Sequence, residues 1–494
     1  MNGPITRLAA AAVILVASLI VGTTYWQVWA APALADRQDN AIERVAEFTV
    51  KRGRILAADG RTLLAANRRK RISGQTLYFR TYPHGRLFPH LVGYSTQGRA
   101  RAGLERSLND YLTGANTELG TFLDTTLDRL RGATIEGNDV VLTVNARAQR
   151  AAIQALGTRC GAVVALEPRT GRVLVLASSP TYDANLVERD FNAIGRMRGD
   201  CRSATALYDR ATEGLYVPGS TFKVVTAAAA LDSRRYSLAS SFLDPGYCIE
   251  YKRKVYNFAD QSGPEQFGTV TLLQAIEHSI NAVFCNIGKA LGGLRVLAKA
   301  RRFGFYELPP LETPADQRQA SGLYRRRHLF YPKNGFQVDP GRLAFGQERL
   351  LVTPLQMAMV VAAIANRGLL MQPTAVERIV APDGKTVSRL DPQPLGQAVS
   401  PRTAAALTTA MKAVVTSGTG TAARLPGVAV AGKTGTAETG RSGVNTTSFV
   451  AFAPADAPRV AIAVFLEEQH GVGGTTAAPV ARAVMEALLG GGRT

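Results

Sequence analysis

The sequence predicts an α+β fold, an antiparallel sheet covered by helices, set behind a membrane-spanning helix and a separate elongated module. Three observations predict it. An uncharged apolar run occupies 8–29, hairpin patterns stand at 161–178 and 447–468, and helix-forming segments fill the stretch between those hairpins. With 494 residues, 46% hydrophobic and 19% charged, the chain has material for two or three globular domains and is too apolar to be disordered.

The run "LAAAAVILVASLIVGTTYWQVW" at 8–29 is long enough to span a bilayer, and Trp26 and Trp29 suit its outer interface. Only Arg7 and the amino terminus flank its short inner end, so 1–7 is expected as a cytoplasmic stub and the long polar remainder as exported. The small residues "ALA" at 33–35 offer a competing reading, a cleaved signal peptide. The apolar run exceeds a usual signal core, which favours a retained single-pass anchor in the cell membrane.

Export permits disulfides among Cys160, Cys201, Cys248 and Cys285, and the spacing leaves all three full pairings open, beside free buried thiols. No C-x-x-C or Cys/His cluster points to zinc. A formal charge of +20 and a pI near 10.1 would suggest nucleic acid for a cytosolic protein. Outside the membrane the same charge meets anionic lipid and cell-surface polymer, and no basic run is interleaved with aromatics for base stacking, so no nucleic-acid partner is expected.

Residues 36–150 are charge-rich, with little periodicity, and form the elongated module. Two hairpin-like pieces stand out there, "RGRILAADGRTLLAA" from Arg52 with a turn at Asp59-Gly60, and "GNDVVLTVN" from Gly137. From 155 to 494 the texture is that of a dense core. Its first hairpin turns at 168–171, and 477–489 closes the chain as a helix.

Within that core, "LYVPGSTFK" places Ser220 after a Pro-Gly turn and before the alanine-rich helix former "TFKVVTAAAAL". An N-cap is the plain reading of Ser220. A capping box, however, needs Glu or Gln three residues on, and that position holds Lys223, a cation near the positive end of the helix dipole. Such a lysine is easily held neutral, and the i, i+3 spacing sets it beside the serine as a base beside a nucleophile.

Two more stretches carry chemistry. In "HSIN", Ser279 and Asn281 lie on a segment whose Leu273, Ile276, Ile280, Val283 and Ile287 recur at steps of three and four. Pattern alone predicts one continuous helix with the two polar residues facing apart, and for both to reach one site the helix must be interrupted there. In "VAVAGKTGTAE", 428–438, alternation predicts a strand with Thr434 and Thr436 on one face and Lys433 on the other; Gly432 and Gly435 mark a close approach to the backbone. A kinked structural edge is one reading. The other is a cationic, hydroxyl-lined edge for an extended peptide ending in a carboxylate.

S-x-x-K, S-x-N and K-T-G in that order are the signature of penicillin-binding proteins and serine β-lactamases. Here they stand as Ser220-Thr221-Phe222-Lys223, Ser279-Ile280-Asn281 and Lys433-Thr434-Gly435. Beyond them, "RGRILAADGRTLLA", "GLERSLNDYLTG" and "SSPTYDANL" resemble motifs of the class B penicillin-binding proteins, and "GQERLLVTPLQMAMVVAAIANRG" at 346–368 resembles the helix behind their catalytic cleft. The chain after the anchor is similar to that family nearly throughout, and most like its PbpA subgroup. It departs at Val217, where a proline is common, and at Cys285.

The resemblance implies a pedestal of the dimerisation type at 36–150 and, at 155–494, a penicillin-binding transpeptidase fold with a helical subdomain. It implies acyl transfer between peptidoglycan stem peptides, with β-lactams entering the same pocket, and it implies no cofactor or metal. Ser220 would be the nucleophile, Lys223 its base, Ser279 a proton relay and Asn281 the holder of the substrate amide. Lys433, Thr434, Gly435 and Thr436 would receive the terminal carboxylate, and the N–H groups of Ser220 and Thr436 the oxyanion. A membrane polymerase of the shape, elongation, division and sporulation family, a SEDS-type glycosyltransferase, is the inherited partner. A D,D-carboxypeptidase or β-lactamase of the same fold, or a non-catalytic scaffold or β-lactam sensor, are the rivals. None of His84, His90, His278, His328 and His470 lies in a motif around Ser220, which disfavours a Ser-His-Asp hydrolase.

Overall fold

The computed structural model describes residues 2–26, 48–72, 74–96, 101–115, 136–203, 205–257, 259–260 and 263–490. The apolar run forms helix Asn2–Thr24, long enough to cross a membrane, with none of its Arg7–Thr24 window buried inside the protein. Trp29 and the 33–35 triplet lie outside the described residues.

In the module that follows, Ile55–Leu56 and Leu63–Ile72 pair as the predicted hairpin. Asp59 Oδ1 accepts from the N–H groups of Arg61 and Thr62, and Gly60 takes φ +64°, a conformation that glycine adopts without strain. The second piece does not fold back on itself. Its strand Asp139–Leu142 runs parallel to Ile55–Leu56 and antiparallel to Val376–Val380. The resulting six-stranded sheet has the order Thr386–Arg389, Val376–Val380, Asp139–Leu142, Ile55–Leu56, Leu63–Ile72, Gln75–Thr81. Two of its strands come from late in the chain, so the module is tied to the second half rather than set apart from it. Glu105 accepts from Arg52 Nη2 at 3.0 Å and Arg80 Nε at 2.5 Å, joining two of the family-like stretches through one buried carboxylate. Burial pushes that carboxyl up, and the two guanidiniums outweigh it and hold it below its ordinary value.

The second half is built on β1 (Gly161–Leu166), β2 (Val173–Ser179), β3 (Ala431–Arg441), β4 (Val444–Ala453) and β5 (Val460–Gln469). They form one antiparallel sheet in the order β3-β4-β5-β1-β2, which leaves β3 at an edge. Its helices of interest are α1 (Ala146–Leu156), α2 (Lys223–Asp232), α3 (Leu272–Glu277), α4 (Asn281–Leu291), α5 (Pro354–Ala365), α6 (Pro401–Thr416) and α7 (Gly473–Leu489).

Both faces of the sheet are covered, which is why its strands read as apolar runs as well as alternating ones. Val163, Phe449 and Val464 pack with Leu156 of α1 and Val484 of α7. On the other face Val164, Val450 and Phe465 belong to the core that holds Met357 and Val361 of α5. Helix α5 is buried from Pro354 to Ile364, so it has no polar side; Thr353 caps it by accepting from the Gln356 N–H. The cysteines pair as Cys160–Cys201 and Cys248–Cys285, one of the three pairings the sequence left open.

Candidate active site

Edge strand β3 meets the turn before α2 and the junction between α3 and α4. The turn is a 3₁₀ segment, Gly219–Phe222, that runs directly into α2. Its first residue has φ +52°, its N–H donates to the Gly346 carbonyl at 3.0 Å, and a Cβ there would sit 2.8 Å from the Thr436 carbonyl. A Cβ on Gly435 would likewise collide with Ser448 Oγ and crowd the Pro218 carbonyl at 2.8 Å. The two glycines therefore let the turn lie against β3. Ser220 is not an N-cap: Pro218 holds that position, and the half-buried Ser220 hydroxyl has no hydrogen-bond partner among the described residues.

The continuous helix that periodicity predicts through Ser279 does not form. Helix α3 ends at Glu277, α4 begins at Asn281, and Ser279 between them takes φ +62°. Ile276 and Ile280 are both buried, since the two helices face the same core and the break preserves the apolar spacing. The kink turns Ser279 and Asn281 toward one point.

That point is the amine of Lys223. Its Nζ donates to the Ser279 carbonyl at 2.5 Å and to Asn281 Oδ1 at 2.8 Å, and lies 3.3 Å from Ser279 Oγ. Among the described residues it makes no hydrogen bond to Ser220 Oγ, so the i, i+3 spacing does not by itself deliver the contact the sequence suggested. From β3, Lys433 Nζ donates to the same Ser279 Oγ at 2.7 Å and to the Thr434 carbonyl at 3.2 Å.

Both lysines are fully buried. Burial drives the Lys223 amine well below its ordinary value, and the charge on Lys433 lowers it further. Burial also brings Lys433 down to about 7. A neutral Lys223 can accept a proton, and a charged Lys433 supplies positive potential a few ångströms away.

The remaining predicted residues line the same edge. Thr434 Oγ1 lies 2.7 Å from Thr419 Oγ1, and Thr436 Oγ1 accepts from the Gly473 N–H at the start of α7. Asn281 Nδ2 donates to the Tyr256 carbonyl at 3.2 Å, and Asn257 Oδ1 accepts from the Ala282 N–H at 2.9 Å, capping α4. Asn257, Thr419 and Gly473 have no motif in the sequence that would have singled them out. His278 follows α3 as its C-cap and stacks on Phe267 at 5.2 Å, and among the described residues it makes no hydrogen bond with Ser220.

Residues 161–486 match the family described as penicillin binding protein transpeptidase domain, and 52–140 match the penicillin binding protein A dimerisation domain. The chain is 35% identical to the peptidoglycan D,D-transpeptidase PbpA of Mycolicibacterium smegmatis, over 99% of both chains. It is 33% identical to PbpA of Mycobacterium tuberculosis, over 99% of this chain and all of that one. Among solved structures, it is similar to penicillin-binding protein A from M. tuberculosis in its ceftriaxone acyl-enzyme complex, at a TM-score of 0.79 and 32% identity, covering 90% of this chain and 100% of that chain. With these matches and this arrangement of its three motifs, the chain belongs to the class B penicillin-binding proteins.

Proposed function

We propose that this protein is a peptidoglycan D,D-transpeptidase that crosslinks stem peptides through an acyl-enzyme on Ser220, and that β-lactams acylate the same serine. The observation that carries the reading is the convergence of Lys223 and Lys433 on Ser279, with Asn281 on Lys223, beside an open strand edge and a half-buried serine. The similarity to proteins named for this activity supports it.

Ser220 Oγ attacks the penultimate D-alanine carbonyl while its proton passes to neutral Lys223, and the N–H groups of Ser220 and Thr436 receive the oxyanion. As the C–N bond breaks, Ser279, in contact with both amines, relays the proton to the departing D-alanine nitrogen. Asn281 holds the donor amide. Lys433, Thr434 and Thr436 take the terminal carboxylate, with Gly435 leaving room for the extended peptide against β3. The amine of a second stem then attacks the ester, forming the crosslink and returning the proton to Ser220.

The pedestal, 36–150, and the transpeptidase region, 155–494, are the working divisions of this reading, and helix Asn2–Thr24 holds both outside the cell membrane in a single pass. A SEDS-type polymerase in the same membrane is the proposed partner that makes the glycan strand. Labelling by a fluorescent penicillin, and its loss in Ser220→Ala with the fold retained, tests the nucleophile. Product analysis with an added acceptor amine tests the transfer: hydrolysis alone, with no amide formed, would make the protein a carboxypeptidase or β-lactamase.

A further inference from the structure

The ribbon formed by Leu63–Ile72 and Gln75–Thr81 carries four consecutive exposed cations, Arg68, Arg69, Lys70 and Arg71, and no acidic residue. Among the described residues none of the four makes a salt bridge. Arg71 Nε donates to the Gly74 carbonyl at 3.3 Å, and Lys70 Nζ lies 5.4 Å from the Phe79 ring centre. Cross-strand pairing sets Arg68 opposite Phe79 and Lys70 opposite Leu77, with Ile72 following on the same side. One face of the ribbon is therefore cationic and apolar together, and Ile72 near its tip is 46% exposed.

The chain arrives from the apolar helix on this ribbon. Phe48 stacks on Phe79 at 5.7 Å, and its carbonyl accepts from the Tyr78 N–H at 2.7 Å. Residues 27–47, which connect that point to the end of the helix, span at most roughly 75 Å even at full extension, so the ribbon is tethered to the bilayer and stays within that distance of the end of the helix.

We propose that the Arg68, Lys70, Ile72, Leu77 and Phe79 face of this ribbon docks on anionic phospholipid headgroups in the outer leaflet of the membrane that the helix crosses. A wall polyanion would satisfy the cations and leave Ile72 and Leu77 without a partner. A lipid surface takes both, the charges at the phosphates and the apolar side chains among the upper acyl carbons. The inference rests on the membrane-anchor reading.

The test uses the full chain reconstituted in vesicles of phosphatidylcholine, with or without phosphatidylglycerol, carrying a bimane on Gln75→Cys and quenched by tail-brominated lipid. Strong quenching is expected only with phosphatidylglycerol, and it should fade toward 1 M salt, where screening acts within about 3 Å. Arg68→Gln with Lys70→Gln should lower the docking equilibrium about 25-fold, at roughly fivefold per cation, and Arg69→Gln with Arg71→Gln should lower it less. Parent-rate penicillin labelling verifies that each variant is folded. A label left unquenched on anionic vesicles that carry the protein overturns docking alone, and a chain that fails to float with any vesicle overturns anchor and docking together. Quenching that ignores salt and the Arg68/Lys70 pair also overturns the proposal.

Discussion

Lys223 and Lys433 aim their amines at one oxygen, Ser279 Oγ, from 3.3 and 2.7 Å, although they belong to elements 210 residues apart in sequence (433 − 223). Two buried ammonium groups so placed repel, and the one driven further below its ordinary value yields its proton first. Lys223 is that one, because burial lowers it most and the charge on Lys433 lowers it further. The rate of acylation by a β-lactam should therefore be bell-shaped in pH. Its acid limb reports protonation of Lys223; its alkaline limb, near pH 7, reports loss of charge on Lys433. A rate flat from about pH 5 to pH 9 would refute this division of roles.

Lys223→Arg separates charge from proton transfer. Arginine keeps the positive charge and cannot accept a proton at any usable pH, so acylation should fall by at least about 100-fold. Retention within tenfold, about 1.4 kcal/mol of barrier, would mean that the position supplies charge only.

Lys433 also carries a stability cost with a definite sign. Its folded value, about 7, lies below the 10.5 of an unfolded lysine, so the unfolded chain binds more protons between those values and stability rises with pH across that window. Below about 7 the full penalty of a buried cation is present. Lys433→Met should abolish productive acylation and yet raise the melting temperature near pH 6, with the advantage shrinking as pH climbs toward 10. Measured melting curves with no pH-dependent gap between the two proteins would contradict the linkage.

Ser279 sits at φ +62°, where a side chain costs about 1 kcal/mol that glycine avoids. Ser279→Gly and Ser279→Ala remove the same hydroxyl, so both should slow acylation by roughly 100-fold or more. They should differ in stability, with the glycine variant melting higher. An alanine variant equal to or more stable than glycine would show that the kink is not strained.

Much of this was legible in the sequence, and the exceptions share a cause. The hairpins at 161–178 and 447–468 and the strand of Lys433 follow from alternation because their partners are local or their faces uniform. The pairing of Val376–Val380 with Asp139–Leu142 does not, since nothing local tells a short apolar strand which sheet it will join. The break at Ser279, required if Ser279 and Asn281 are to share one site, is invisible to periodicity for a subtler reason. Periodicity reports which residues face the core, and two helices on one core give the same spacing as one. Motif order marked Ser220, Lys223, Ser279, Asn281 and Lys433, but not that Lys223 would hydrogen-bond across to Ser279 and Asn281.

Asn257, which no motif flagged, tests how the site is held. Its Oδ1 caps α4 at Ala282, one residue after Asn281, while its Nδ2 donates to both oxygens of buried Asp244 at 3.0 and 2.9 Å. Asn257→Ala removes the cap and part of the hydrogen bonding to a buried carboxylate, a loss of about 2–4 kcal/mol. Asn257→Asp is more informative. It keeps the acceptor that caps the helix and sets a second carboxylate against Asp244, and two carboxylates that close raise one pKa because both cannot ionise cheaply. Below that raised value the shared proton restores a donor between them; above it the pair repels and α4 loses its seat. The deficit of Asn257→Asp, in melting temperature and in acylation by way of Asn281, should therefore narrow as pH falls from about 8 to about 5. A deficit that stays constant across that range, or widens toward acid, would mean that Asn257 fills space and does not position Asn281 through its hydrogen bonds.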